Sequence, residues 1–218
     1  MKHSYLTVDG MNEVLFIEKA SKFYGFCKKI KTANEAKLFV QELLTKHPKS
    51  RHCCYAYKLG IENQDFRIED DGEPSGTAGK LIYGQIESFG LTNVIVAVIR
   101  YFGGVKLGTS GLIKAYKTTA KNCLENAKIQ EIQVKAKYQI STDDEHMYKI
   151  IKIAKHLNLD YEDLIIDLQS SINILVPLSI ENILRKELKK HLDNIDSWDE
   201  SMEFQLKTCK VQKLEILL

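Results

Sequence analysis

The chain reads as an α+β protein of two domains, the second a ferredoxin-like β-α-β-β-α-β unit. Three observations predict this. Strand-like alternation and helical periodicity both recur across the 218 residues, a length that suits one large domain or two smaller ones. From residue 131 onward the order strand, helix, strand, strand, helix, strand is read directly. Charge divides at the same place. Residues 1–130 carry 19 Lys and Arg against 13 Asp and Glu, a formal +6, and residues 131–218 carry 12 against 16, a formal −4. The predicted domains are therefore 1–130 and 131–218, with the boundary near Lys128 to Glu131. No Pro- or Gly-rich linker marks it, and no internal repeat is evident.

Taken in order, residues 11–30 mix β-branched and aromatic residues with polar ones and predict two strands meeting near Ala20 and Ser21. Thr32 and Glu35 have capping-box spacing, and Ala36, Phe39, Val40, Leu43 and Leu44 follow at helical intervals until His47 and Pro48 stop the helix. Residues 52–59 and 65–68 read as strands, and 76–89 as a helix. Residues 93–102 form a near-continuous apolar run, the pattern of a strand covered on both faces. A glycine-rich loop follows, then a helix over 111–127 with Leu112, Ile113, Tyr116, Ala120, Cys123 and Leu124 on one side. In the second half, 132–140 alternates, Thr142 or Asp143 caps a helix to about Leu157, and 160–168 and 170–176 form a hairpin. Pro177 opens a helix through Lys190, and a last strand covers 201–210.

Composition excludes several classes. Hydrophobic residues make up 44% and charged residues 28%, an ordinary globular balance with no low-complexity tract. No run of eighteen apolar residues predicts a transmembrane helix, and the first residues lack the apolar core of a signal peptide. The five cysteines are odd in number and form no CxxC pair, which argues against a disulfide framework or a cysteine zinc site and points to a reducing cytoplasm.

Two stretches carry candidate chemistry. Glu69 through Lys80 (EDDGEPSGTAGK) concentrates carboxylates, glycines and a lysine. It is not a phosphate loop, because Pro74 stands where the first glycine is needed and Leu81 where the metal-binding hydroxyl is needed. A metal site is disfavoured, since Asp70 and Asp71 point opposite ways in extended chain. The stretch instead predicts a turn at Asp71 and Gly72, with Pro74 setting direction and Ser75 or Thr77 capping the next helix. The second stretch, Arg100 through Gly111 (RYFGGVKLGTSG), predicts small residues and free backbone N–H groups at a helix start, an arrangement that attracts anions. Arg100, Lys106 and Lys114 are expected to surround it with positive charge, beside Gly103, Gly104, Gly108, Thr109, Ser110 and Gly111. The same residues also fit a close strand-to-helix turn with no ligand. His52 is expected on the same side of its strand as Cys54, so a thiol–imidazole pair is considered, although a buried structural cysteine fits better. Trp198 reads as a core or edge anchor.

Three motifs occur in order: Arg51 through Ala56 (RHCCYA), Asp70 through Lys80 (DDGEPSGTAGK) and Val98 through Tyr116 (VIRYFGGVKLGTSGLIKAY). Together they resemble the YigZ/IMPACT family, in its bacterial two-domain form. The resemblance implies a ribosomal protein S5 domain 2-like fold for the first domain and a fold like domain V of elongation factor G for the second. It implies no settled activity. Eukaryotic relatives regulate translation by competing for the activator of an initiation-factor kinase. They carry a further RWD domain not read in this sequence, so that partner is not carried over. The chain departs from the family pattern at Cys53, often polar or His, and at Lys22, often Arg, which loses the bidentate guanidinium fork.

The expected function is non-enzymatic binding of RNA or a ribosomal surface in translation, in the cytoplasm, with no cofactor, no metal and no membrane. Arg100 through Lys114 form the expected anion-binding segment. His52, Asp70, Asp71, Glu73, Gly76, Thr77 and Lys80 form an adjoining motif loop. The alternatives are a hydrolase of a small phosphorylated molecule, with Asp71 or Glu73 as base and Arg100 holding the anion, and a protein-binding adaptor using the acidic domain.

Overall fold

The computed structural model describes residues 2–62, 65–167, 169–195 and 204–217. Two compact units are present, dividing between Ile132 and Gln133. In the first, β1 (Ser4–Val8) precedes β2 (Met11–Glu18), β3 (Ser21–Lys29), α1 (Ala33–Lys46), β4 (His52–Leu59) and β5 (Asp65–Glu69). Then come α2 (Gly79–Ser88), β6 (Val94–Tyr101), α3 (Gly108–Glu125) and β7 (Ile129–Gln133).

Five strands form one antiparallel sheet in the order β2-β3-β6-β4-β5. Alternation divides its side chains between two layers. Phe23, Cys27, Cys54, Ala56, Val94, Val96 and Val98 form one core with Ile82 and Ile86 of α2 and Leu112, Tyr116 and Ala120 of α3. Phe26, Cys53, Tyr57, Ile95, Ala97 and Ile99 form the other with Phe39 and Leu43 of α1. Strand β6 is central and every residue from Val94 to Ile99 is buried, which is why its sequence shows no polar alternation. One cross-strand row matters for the site: Phe16, Phe23, Arg100 and His52 lie opposite one another on β2, β3, β6 and β4. This row faces α2 and α3.

Local signals explain most boundaries. The Thr32 hydroxyl accepts from Glu35 N at 3.1 Å, the predicted cap of α1. The turn from β2 to β3 is Lys19 and Ala20, with φ of 44° and 65°. Such a two-residue turn matches strand twist but normally calls for Asn or Gly; it falls where the two strands were expected to meet, near Ala20 and Ser21. Strands β1 and β7 pair in a small separate sheet that the sequence reading did not assign.

The second unit contains β8 (Lys135–Thr142), α4 (Asp144–His156), β9 (Asp160–Ile165), β10 (Ser170–Pro177), α5 (Glu181–Asp193) and β11 (Lys210–Leu217). Its sheet order is β11-β8-β10-β9, all antiparallel. The predicted β-α-β-β-α-β order is present, and Asp143 caps α4 by accepting from His146 N at 2.9 Å. The last strand needs correction. It runs over Lys210–Leu217, pairing with β8 with Val211 opposite Ile140, and residues 204–209 of the predicted span are not in it; 201–203 lie outside the described residues. Trp198 lies outside the described residues. No helix among the described residues is long and apolar enough to cross a membrane.

Candidate functional site

Strand β5 runs into the acidic loop, which turns back at once. Glu73 N donates to Asp70 O at 3.0 Å. Asp71 and Gly72 between them have φ of 42° and 81°, so Gly72 is used for its left-handed conformation. The turn aims the Asp70 carboxylate at the start of α2, where it accepts from Gly76 N at 2.8 Å, Ala78 N at 3.0 Å and Gly79 N at 2.8 Å. The predicted hydroxyl cap is therefore corrected. Thr77 Oγ1 donates instead to Pro74 O at 2.6 Å, and the helix takes a full negative charge from outside its own first turn. Asp70→Ala should cost about 2 kcal/mol, seen as a lower urea midpoint with an unchanged m-value. An unchanged midpoint would show that solvent caps α2 equally well.

The Asp71 carboxylate goes the other way and accepts from Cys53 N at 2.6 Å. The two neighbouring acids thus serve different elements. No group of three or more His, Cys, Asp or Glu among the described residues could hold a metal ion.

Glu73 turns inward and is buried. Its Oε1 accepts from Arg100 Nη1 at 2.6 Å and from the Tyr116 hydroxyl at 2.8 Å. The Arg100 guanidinium also lies 5.6 Å from the Phe23 ring and 5.8 Å from the Phe102 ring. Burial is the largest cause holding the Tyr116 phenol far above its ordinary range, so it is a permanent donor to the carboxylate. This corrects the expectation for Arg100. It does not stand free beside the glycine loop: it is 6% exposed and neutralised by Glu73. Alternation along β6 points it into the α2 and α3 layer, and a cation there requires a counter-ion. Lys114 is also engaged, 3.5 Å from Glu18 Oε2. Lys106 and Lys80 are exposed.

His52 lies across from Arg100. Its Nδ1 is 2.7 Å from Asp71 O, and its Nε2 is 4.0 Å from Glu73 Oε1. Cys54 is not its partner, because Sγ donates to Asp70 O at 3.0 Å. Burial raises the Cys54 thiol far above its usual range and pushes Cys53 up to about 12, with the Asp71 charge adding to the latter. Both remain protonated at neutral pH, so neither is a thiolate nucleophile.

Beyond Arg100 the chain leaves the sheet. Gly103 N donates to Ser21 Oγ at 3.1 Å, which ties the glycine loop to the hairpin turn. Gly104 and Gly108 have φ of 87° and 71°. Helix α3 begins at Gly108, three residues before the predicted Gly111, so Gly108 through Gly111 form its first turn. Its N-cap residue, Leu107, makes no capping hydrogen bond. Gly108, Thr109 and Ser110 are exposed, and their N–H groups precede the first intrahelical bond. Phe102 and Val105 beside them are 47% and 53% exposed. Phe102 and Tyr116 lie in the third motif but were not singled out as site residues, because their roles depend on partners distant in sequence.

Residues 19–124 match the model of the Impact N-terminal domain. The IMPACT family member YvyE of Bacillus subtilis is 34% identical over 150 residues, which cover 69% of each chain. The chain belongs to the IMPACT family. Another member, YigZ of Escherichia coli, is 32% identical over 151 residues, 66% of this chain and 74% of that one. A crystal structure of a hypothetical protein matches with a TM-score of 0.69 over 99% of both chains at 23% identity, a likeness of fold. His52, Glu73, Arg100, Tyr116 and the first turn of α3 all lie within the segment that matches the IMPACT model.

Proposed function

We propose that this IMPACT-family protein is a non-enzymatic binding protein that engages RNA or a ribosomal surface in the cytoplasm and acts in translation. The observation that carries this reading is the start of α3. An exposed helix end without a side-chain cap stands beside an exposed aromatic ring, Phe102, and a free-standing ammonium, Lys106. Backbone N–H groups and the lysine suit a phosphate, and the ring suits a base stacked on it. The formal +6 of residues 1–130 favours approach of a polyanion.

The hydrolase alternative is less well supported. Asp71 and Glu73 accept from Cys53 N, Arg100 and Tyr116, and Arg100 is bound to Glu73 instead of an incoming anion. We read the first unit as S5 domain 2-like and the second as ferredoxin-like, the pair resembling two domains of elongation factor G. That resemblance favours translation as the setting, by analogy of fold.

Fluorescence anisotropy with labelled single-stranded and structured RNA tests the reading. Binding should weaken as salt rises, with a log–log slope of about −0.7 per phosphate contacted on a single strand. Phe102→Ala should weaken it roughly tenfold, and Lys106→Glu should weaken it and flatten the slope. Absence of binding at micromolar protein and low salt would overturn the reading.

A further inference from the structure

We infer that His52 reads the ribose 2′-hydroxyl at this surface, so that the protein selects RNA over DNA; the inference rests on the reading above. The imidazole is held on two sides. Its Nδ1 is 2.7 Å from the Asp71 carbonyl. A carbonyl oxygen only accepts, so Nδ1 carries the hydrogen and Nε2 of the neutral ring presents a lone pair. A Cβ on Gly72 would lie 3.5 Å from Nδ1 and 3.6 Å from Cε1, so the turn backbone lies against the ring and limits its rotation.

That lone pair is 4.0 Å from Glu73 Oε1, and the His52 side chain keeps 24% of its exposure. Two acceptors thus face each other, one on the partly exposed His52 ring and the other on the buried Glu73 side chain. Phosphate oxygens, which are acceptors, are repelled there; an O–H donor is attracted to it. Glu73 cannot swing away, because Arg100 and Tyr116 hold the same oxygen. The Arg100 guanidinium that holds Glu73 also lies against the Phe102 ring, at 5.8 Å. In this inference a base stacked on Phe102 sets its own sugar towards the partly exposed His52 Nε2. The 2′-hydroxyl is the sugar donor that RNA offers along its strand and DNA lacks.

The test uses the full chain and one oligonucleotide sequence in three forms: RNA, DNA and 2′-fluoro. The fluoro form keeps an RNA-like sugar but has no hydrogen to donate. RNA should bind roughly three- to tenfold more tightly than either of the others, the range of one net hydrogen bond. His52→Ala should bring RNA down to the DNA level, and His52→Gln, which can offer an amide oxygen, should restore part of the preference. Equal wild-type affinity for all three forms overturns the inference and leaves the binding reading standing. So does an RNA preference that survives in His52→Ala. No binding to any form overturns both.

Discussion

Glu73→Ala should destabilise the first unit by about 3–5 kcal/mol, the range for removing one partner of a buried ion pair. The carboxylate is the acceptor for both Arg100 Nη1 and the Tyr116 hydroxyl. Arg100 Nε is already buried without a partner among the described residues. Truncation leaves a guanidinium between two phenyl rings with its charge uncompensated, and a phenol without its carboxylate acceptor. Glu73→Gln should cost less, because an amide oxygen still accepts. The double variant Glu73→Ala/Arg100→Met should recover much of the loss, since the orphaned charge is gone. Pulse alkylation read by mass spectrometry isolates the effect. Cys27, Cys53, Cys54 and Cys123 are buried in the first unit, and Cys209 is in the second. Increased labelling of those four in urea, with Cys209 unchanged, reports the first unit alone. A Glu73→Ala cost below about 1 kcal/mol would place the pair in the surface regime.

Gly103→Ala should cost at least about 3 kcal/mol, at the severe end of overpacking. Its new Cβ would lie 2.1 Å from the carbonyl carbon of Ala20, 2.3 Å from that residue's oxygen and 2.3 Å from Ser21 N. These are backbone atoms of a turn whose two residues already adopt left-handed conformations, so no side-chain rotation relieves the clash. The loop must lift, taking Phe102 with it, and under the binding role proposed above RNA affinity should fall with stability. Gly104→Ala is the control. Nothing lies within 4 Å of its Cβ, and its φ of 87° carries only a conformational penalty of about 1 kcal/mol. Equal stability of the two variants would show that the loop is not clamped to the hairpin.

Legibility in the sequence followed range. Thr32 and Glu35 are three residues apart, and their cap formed as expected. The apolar run of β6 announced a central strand, and it is buried from Val94 to Ile99. The strand and helix order of the second half was readable because each element is at least six residues long. The candidate site was legible as a set of motifs but not as a set of partners. Asp70 was expected only as part of the motif loop, with Ser75 or Thr77 as the cap, and its carboxylate proved to be the group that caps α2. Arg100 was expected as a free cation and proved to be half of a buried pair.

Local order and the α+β class, with its division into a basic and an acidic half, were determined by the sequence alone, because capping, alternation and charge act between near neighbours. Tertiary structure decided which charge meets which. Glu73 reaches Arg100 across 27 residues and Tyr116 across 43. Those contacts exist because the strand order β6-β4-β5 brings the acidic loop over the end of β6 while α3 returns across the same face. Periodicity constrains which face a side chain takes, but only the assembled sheet supplies the group waiting there.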